Sequence, residues 1–150
     1  ARLPNALVAE ALEMKRLPQF VEYPHARREV TFGESRLDLM LEGPEGKYYV
    51  ETKSVTLVVN GTGLFPDSPT IRGAKHMRSL EQAVAMGHRA AAIFVIQRED
   101  VQSFTPHETA DPEFGQAFRH ALSVGVEAFA YKCRVTDNSI ELAGLLPMEL

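Results

Sequence analysis

The chain has 150 residues and a mass of 16.7 kDa, with 45% hydrophobic and 24% charged residues and a formal net charge of -4. That length suits one domain able to bury about 70% of its unfolded surface, and the composition excludes the fibrous and disordered classes. An isoelectric point near 5.7 argues against a domain coated in nucleic acid, for which values above about 9 are usual.

The charge is unevenly spread. From Arg72 to Arg89 the net is +3 before His76 and His88 are counted. No apolar run approaches the roughly 20 residues of a membrane span. The opening "ARLPNALVAEALEMKR" lacks the uninterrupted apolar segment of a signal peptide, so a cytoplasmic chain is expected. Cys133 is the only cysteine, which rules out an internal disulfide and argues against a cysteine-based zinc site. Ala at position 1 means that an initiator Met was removed or that the chain is a piece of something longer.

Residues 4–16 read as a helix, with Leu7, Ala11 and Met14 at helical spacing and Pro18 as a stop. "RREVTFGE" alternates and is rich in β-formers, so it predicts a strand. Leu37, Leu39 and Leu41 alternate with Asp38, Met40 and Glu42, predicting a second strand with one apolar face. Gly43-Pro44-Glu45-Gly46 is turn chemistry, and "KYYVETKSVTLVV" predicts a third, longer strand broken by Asn60-Gly61-Thr62-Gly63. "LFPDSPT" reads as a loop. Residues 72–86 read as a helix with Met77, Leu80 and Val84 inward and Gly87 at its end. The apolar run "RAAAIFVIQ" is that of a central strand covered on both faces.

Asp111-Pro112-Glu113 opens a further helix: a capping Asp, Pro at the first helical position and an acid in the first turn. Phe114, Ala117, Phe118, Ala121 and Leu122 form its apolar stripe, and Gly125 closes it. "VEAFAYKCRV" and "SIELAGLL" read as final strands in a hairpin around Asp137-Asn138. The order αβββαβαβ(β) predicts a single α/β domain over residues 1–150, with a mixed sheet.

Within this plan the strands flanking the Pro44-Glu45 turn are close enough to pair as an antiparallel hairpin. A loop centred there pairs residues whose numbers add to 89, so Asp38 faces Glu51. Their Cβ atoms would lie about 4.5 to 5.5 Å apart on one side of the sheet, with Lys53 on that side roughly 7 Å further along. Leu39 would pair with Val50, and Leu41 with Tyr48, on the other face. Opposed carboxylates repel unless something neutralises them. Mg²⁺ (or Mn²⁺) does so, because it takes oxygen ligands and commonly uses one or two carboxylates with a substrate phosphate. Lys53 would then position or deprotonate an attacking water, or stabilise the developing negative charge. Asp38, Glu51 and Lys53 thus suit metal-assisted phosphodiester hydrolysis, with Asp38 and Glu51 as metal ligands. The same spacing also describes a solvated surface ion cluster worth about 0 to 1 kcal/mol per pair.

The element order resembles the αβββαβ core of the restriction-endonuclease-like superfamily, whose PD-(D/E)XK signature is matched by "LDL" at Asp38 and "ETK" from Glu51 to Lys53. Leu37 stands where the signature has Pro. A resemblance over nearly the whole chain is to the sugar fermentation stimulation protein A family, through "RLDLMLEGPEGKYYVETKSVTLV", "LFPDSPTIRGAKHMRSL", "HRAAAIFVIQ" and "DPEF". Departures include Leu37 and Leu39, where aromatic residues are common, and Thr52, where Val is common. The resemblance implies DNA binding, a link to sugar (maltose) utilisation and, in full length, a small OB-like N-terminal domain that would precede Ala1.

Several superfamily members place an extra acid near the metal on the first helix, which makes Glu10 a candidate ligand; a solvated helix acid is the plainer account. Arg72, Lys75, Ser79 and Gln82 share one helix face by spacing. Together with His76 they are candidates for DNA phosphate contact, against the alternative of a solvated polar face. Three functions result. The first two are a DNA-binding protein of little sequence preference with a Mg²⁺-dependent nuclease site, and a non-catalytic DNA-binding regulator of sugar metabolism that retains the nuclease fold. The third, supported only by the acidic total charge, is a role with a metabolite or protein partner in sugar metabolism.

Overall fold

The computed structural model describes residues 2–150. The chain begins with helix α1 (Arg2–Glu13), which buries Leu7, Val8 and Ala11; Met14, expected on the same stripe, lies past the helix end and is exposed. A single 3-10 turn at Pro18–Phe20 follows, and then three antiparallel strands: β1 (His25–Phe32), β2 (Ser35–Gly43) and β3 (Gly46–Val55). Strands β4 (Leu57–Val59) and β5 (Thr62–Phe65) form a hairpin over Asn60 and Gly61, whose φ angles of 51° and 81° are the left-handed pair that such a two-residue turn requires. Helix α2 (Ile71–Ala85), strand β6 (Arg89–Ile96), strand β7 (Ser103–Pro106), helix α3 (Pro112–Ser123) and the hairpin of β8 (Glu127–Val135) and β9 (Ile140–Leu146) complete the chain.

The main sheet has the order β1-β2-β3-β6-β8-β9, parallel between β3, β6 and β8 and antiparallel elsewhere. It is the expected mixed sheet flanked by helices. Strand β6 lies in its interior and, from Ala90 to Ile96, is buried on both faces. Its alternate residues feed two cores. Ala91, Ile93 and Val95 pack beneath α1, whereas Ala92, Phe94 and Ile96 pack beneath α2 and α3. Phe94 stacks on Phe104 of β7 at 4.4 Å between ring centres and meets Phe118 of α3 edge-on at 5.4 Å.

Two expectations need correction. The long strand read through "KYYVETKSVTLVV" stops at Val55, and its remainder joins a separate sheet of order β4-β5-β7. The segment read as a loop from Leu64 onward starts inside β5, which pairs in parallel with β7 through Leu64 and Thr105. Neither four-residue strand has a pattern of its own. Strand β5 is held between β4 and β7, and β7 forms by pairing with β5.

The starts of α2 and α3 are tied to one buried side chain. Asp111 caps α3 by accepting from the Phe114 N–H at 2.9 Å, and its second oxygen accepts from the Thr70 N–H at 2.7 Å. Thr70 in turn caps α2, accepting from the Gly73 N–H at 3.1 Å. Replacement of Asp111 by Ala removes a cap and a charge-assisted bond, and is expected to cost about 2 to 4 kcal/mol in urea unfolding. Asp111→Asn, which keeps one acceptor, should lose about half of that.

Candidate functional site

Strands β2 and β3 take the register read from the turn: Gly43 faces Gly46, Leu41 faces Tyr48 and Leu39 faces Val50. The ladder then ends one pair before Asp38 and Glu51. In its place the two acids bond to each other's strands. Asp38 Oδ2 accepts from the Thr52 N–H at 2.8 Å, and Glu51 Oε1 accepts from the Asp38 N–H at 3.1 Å. The neighbouring ladder between β1 and β2 also skips Asp38, where Glu29 has a φ of 54°. The alternation of β2 changes phase there. Leu39 and Leu41 lie in the core beneath α1, but Leu37 lies in the core beneath α2 and α3, so the three leucines do not share the single face expected of them.

This irregularity separates what the two acids touch. Asp38 reaches toward α1: its Oδ1 accepts from the Asn5 side-chain amide at 2.9 Å, and its Oδ2 also accepts from the Thr52 hydroxyl at 3.0 Å. The Thr52 hydroxyl is in contact with Asn5 Oδ1 as well. Glu51 reaches toward α2: its Oε2 lies 2.9 Å from Lys53 Nζ and 2.7 Å from His76 Nδ1. Lys53 Nζ and His76 Nδ1 are themselves 2.7 Å apart. The acids are adjacent, as expected, but each leans to a different helix rather than standing flat on one face.

Their surroundings drive them apart electrostatically. Burial pushes the Asp38 carboxyl above its ordinary value of 3.8, and the neighbouring Glu51 charge adds to that rise. The Thr52 N–H and the Asn5 amide pull the other way without cancelling it. Burial also pushes Glu51 up, but the hydrogen bond from His76 and the Lys53 charge outweigh it, so Glu51 falls below its ordinary 4.5. Of the two, Glu51 holds the negative charge and Asp38 holds a proton more readily.

A family model described as the sugar fermentation stimulation protein RE domain matches residues 2–139. The chain belongs to this family. Homologues of the sugar fermentation stimulation protein from Desulforamulus reducens and Pelobacter propionicus are 43% and 46% identical to it, each over 99% of the chain and over 62% and 65% of their own lengths. Pyrococcus furiosus SfsA, solved in complex with Ca²⁺, superposes with a TM-score of 0.93 at 31% identity, over 99% of this chain and 65% of that one. The chain thus spans less than two thirds of the length of these relatives, and its mixed-sheet architecture is the nuclease-like fold that the resemblance implied.

The remaining candidates fall in different places. Glu10 is exposed and ion-paired with Arg16 at 3.2 Å; the α1 residue that reaches Asp38 is Asn5, more than a turn earlier. Arg72, Lys75 and Gln82 are exposed on α2, while Ser79 is buried and bonded to the Ser35 hydroxyl. His76, grouped with the exposed cations by spacing, is instead buried against Glu51 and Lys53. Asn5, Thr52 and the inward role of His76 were missed. Asn5 did carry a signal, being a polar residue on the stripe of Val8 and Ala11.

The pair predicts a pH dependence. Because folding lowers the Glu51 value, its stabilising contribution is present above pH 4.5 and is lost as pH falls through the lowered value. In metal-free thermal melts Glu51→Gln is therefore expected to lower Tm at pH 7, with the gap to wild type closing below about pH 4.5. Folding raises the Asp38 value, so ionised Asp38 weakens the fold at neutral pH; Asp38→Asn should hold or raise Tm at pH 7.

Proposed function

We propose that this domain binds DNA through its phosphates with little sequence preference and hydrolyses phosphodiester bonds at Asp38, Glu51 and Lys53 with a divalent cation. The observation that carries this reading is the reciprocal bonding that sets Asp38 and Glu51 side by side across β2 and β3, with Lys53 Nζ 2.9 Å from Glu51.

The residues fit a hard cation. The Asp38 and Glu51 side chains, each bonded to the other's strand, offer oxygen donors, which are what Mg²⁺ and Mn²⁺ prefer. Among the described residues no cluster of three His, Cys, Asp or Glu donors is assembled, so Asp38 and Glu51 would hold the ion with water completing its shell, as is usual for Mg²⁺. When bound, the cation supplies charge stabilisation to the phosphoryl oxygens and a more acidic water. That Pyrococcus furiosus SfsA was solved in complex with Ca²⁺ is in keeping with a divalent ion bound in this family.

The chain's own residues then divide the work. Asn5 and the Thr52 N–H and hydroxyl orient Asp38. Lys53, anchored on Glu51, offers Nζ protons to the developing negative charge at the phosphoryl group. Arg72 and Lys75, exposed on α2, meet flanking phosphates. A binding module that does not cleave, linked to sugar metabolism, is the second reading. It is favoured by the degree to which Lys53 and His76 already close off Glu51, whose side chain is 4% exposed.

Incubation of the protein with plasmid and single-stranded DNA in Mg²⁺ or Mn²⁺ separates the two readings. Cleavage is expected to be abolished by chelation and to drop by at least about 100-fold in Asp38→Ala, Glu51→Ala and Lys53→Ala. DNA left intact by wild type and Asp38→Ala alike would leave only the non-cleaving reading. In gel-shift titrations Arg72→Ala and Lys75→Ala should each reduce the log-log salt slope by about 1; a salt-independent shift would count against phosphate contact altogether.

A further inference from the structure

Building on that reading of the site, we infer that His76 is a positioning residue of the same centre: it holds the Lys53 ammonium and the Glu51 carboxylate in fixed relation from helix α2. The three groups form a closed triangle, with Lys53 to Glu51 at 2.9 Å, His76 to Glu51 at 2.7 Å and His76 to Lys53 at 2.7 Å. Both His76 contacts converge on one atom, Nδ1. That nitrogen either accepts from Lys53 or donates to Glu51. In either case the imidazole bonds to one of the two and packs closely against the other, while Lys53 and Glu51 bond to each other directly.

Lysine is the member that needs this help. Its ammonium sits on a flexible four-carbon stem with three rotatable donors, so Glu51 alone would leave Nζ free to swing about the carboxylate. His76 is short and stiff by comparison, and its side chain is only 7% exposed. It also stands on a fixed element. The start of α2 is capped by Thr70, and Thr70 is held by the buried Asp111, so the histidine is presented from a helix whose position is set elsewhere in the fold.

A packing role does not explain the residue. The other α2 side chains that face the sheet include Met77, Leu80 and Ala83, all fully buried and apolar. An apolar residue at 76 would fill the same space without the desolvation that imidazole suffers. A polar ring placed there against two charged groups is explained by what it does to them.

The test compares His76→Ala, His76→Asn and His76→Leu with wild type. Asn places a polar atom where Nδ1 stands, and Leu restores bulk without one. On DNA with Mn²⁺, His76→Ala is expected to lose about 10- to 100-fold in kcat, with KM changed by less than about twofold. Mn²⁺ affinity measured by calorimetry, a readout independent of turnover, should weaken about tenfold. Both losses should be largely recovered by His76→Asn and not by His76→Leu. Wild-type values of kcat and Mn²⁺ affinity in His76→Ala, or recovery by Leu equal to that by Asn, would overturn the inference while leaving the proposed function standing. A wild-type protein that neither binds Mn²⁺ nor cleaves would instead overturn the proposed function, and this inference with it.

Discussion

The reciprocal exchange between Asp38 and Glu51 is the constraint around which this end of the sheet is organised. Where β2 and β3 would continue their ladder, the Thr52 N–H turns to the Asp38 carboxyl and the Asp38 N–H turns to Glu51. Buried main-chain donors must find partners. Here side-chain carboxyls supply them, so the strands can part without leaving the two N–H groups unsatisfied. The gap between the strands and the clustering of the acids are one event. A pair of apolar residues at these positions could not have supported it.

The rest of the architecture holds the two sides of that gap. Parallel pairing of β3 with β6, from Tyr48 to Val55, carries Glu51 and Lys53 on a strand that is fixed along its whole length. The two faces of β6 then feed separate cores, one under α1 and one under α2 and α3. Because the helices lie on opposite faces, α1 delivers Asn5 to Asp38 and α2 delivers His76 to Glu51. Asp111 joins the starts of α2 and α3, which transmits the packing of Phe114 and Phe118 to the height of α2 over the sheet.

That split of surroundings explains how two like charges coexist in a mostly buried place. Lys53 and His76 both attach to Glu51, whereas Asp38 receives only neutral partners. The two carboxyls are consequently driven in opposite directions from their ordinary values, as expected when one of two close acids is neutralised and the other is not.

Much of this was legible before any coordinates. The Gly43-Pro44-Glu45-Gly46 turn sets the register of β2 on β3, since a short hairpin loop leaves little freedom in which residues face each other. Asp111-Pro112 announces the start of α3, and the run from Ala90 to Ile96 announces a strand covered on both faces, because capping and burial are local in sequence. What local pattern could not decide was anything that depends on a distant partner. Strands β5 and β7 are each too short to have a period, and β7 forms only by pairing with β5, 41 residues away in sequence. Leu37 leaves the face of Leu39 because the ladders on both sides of β2 break at Asp38, and alternation assumes a regular pleat. Asn5 rather than Glu10 reaches the acids because the tilt of α1 over the sheet, set by packing, chooses which turn of the helix meets β2 and β3. His76 turns from the polar face to the centre of the site for the same reason: spacing along a helix tells which residues share a side, but only the docked sheet tells which side is buried.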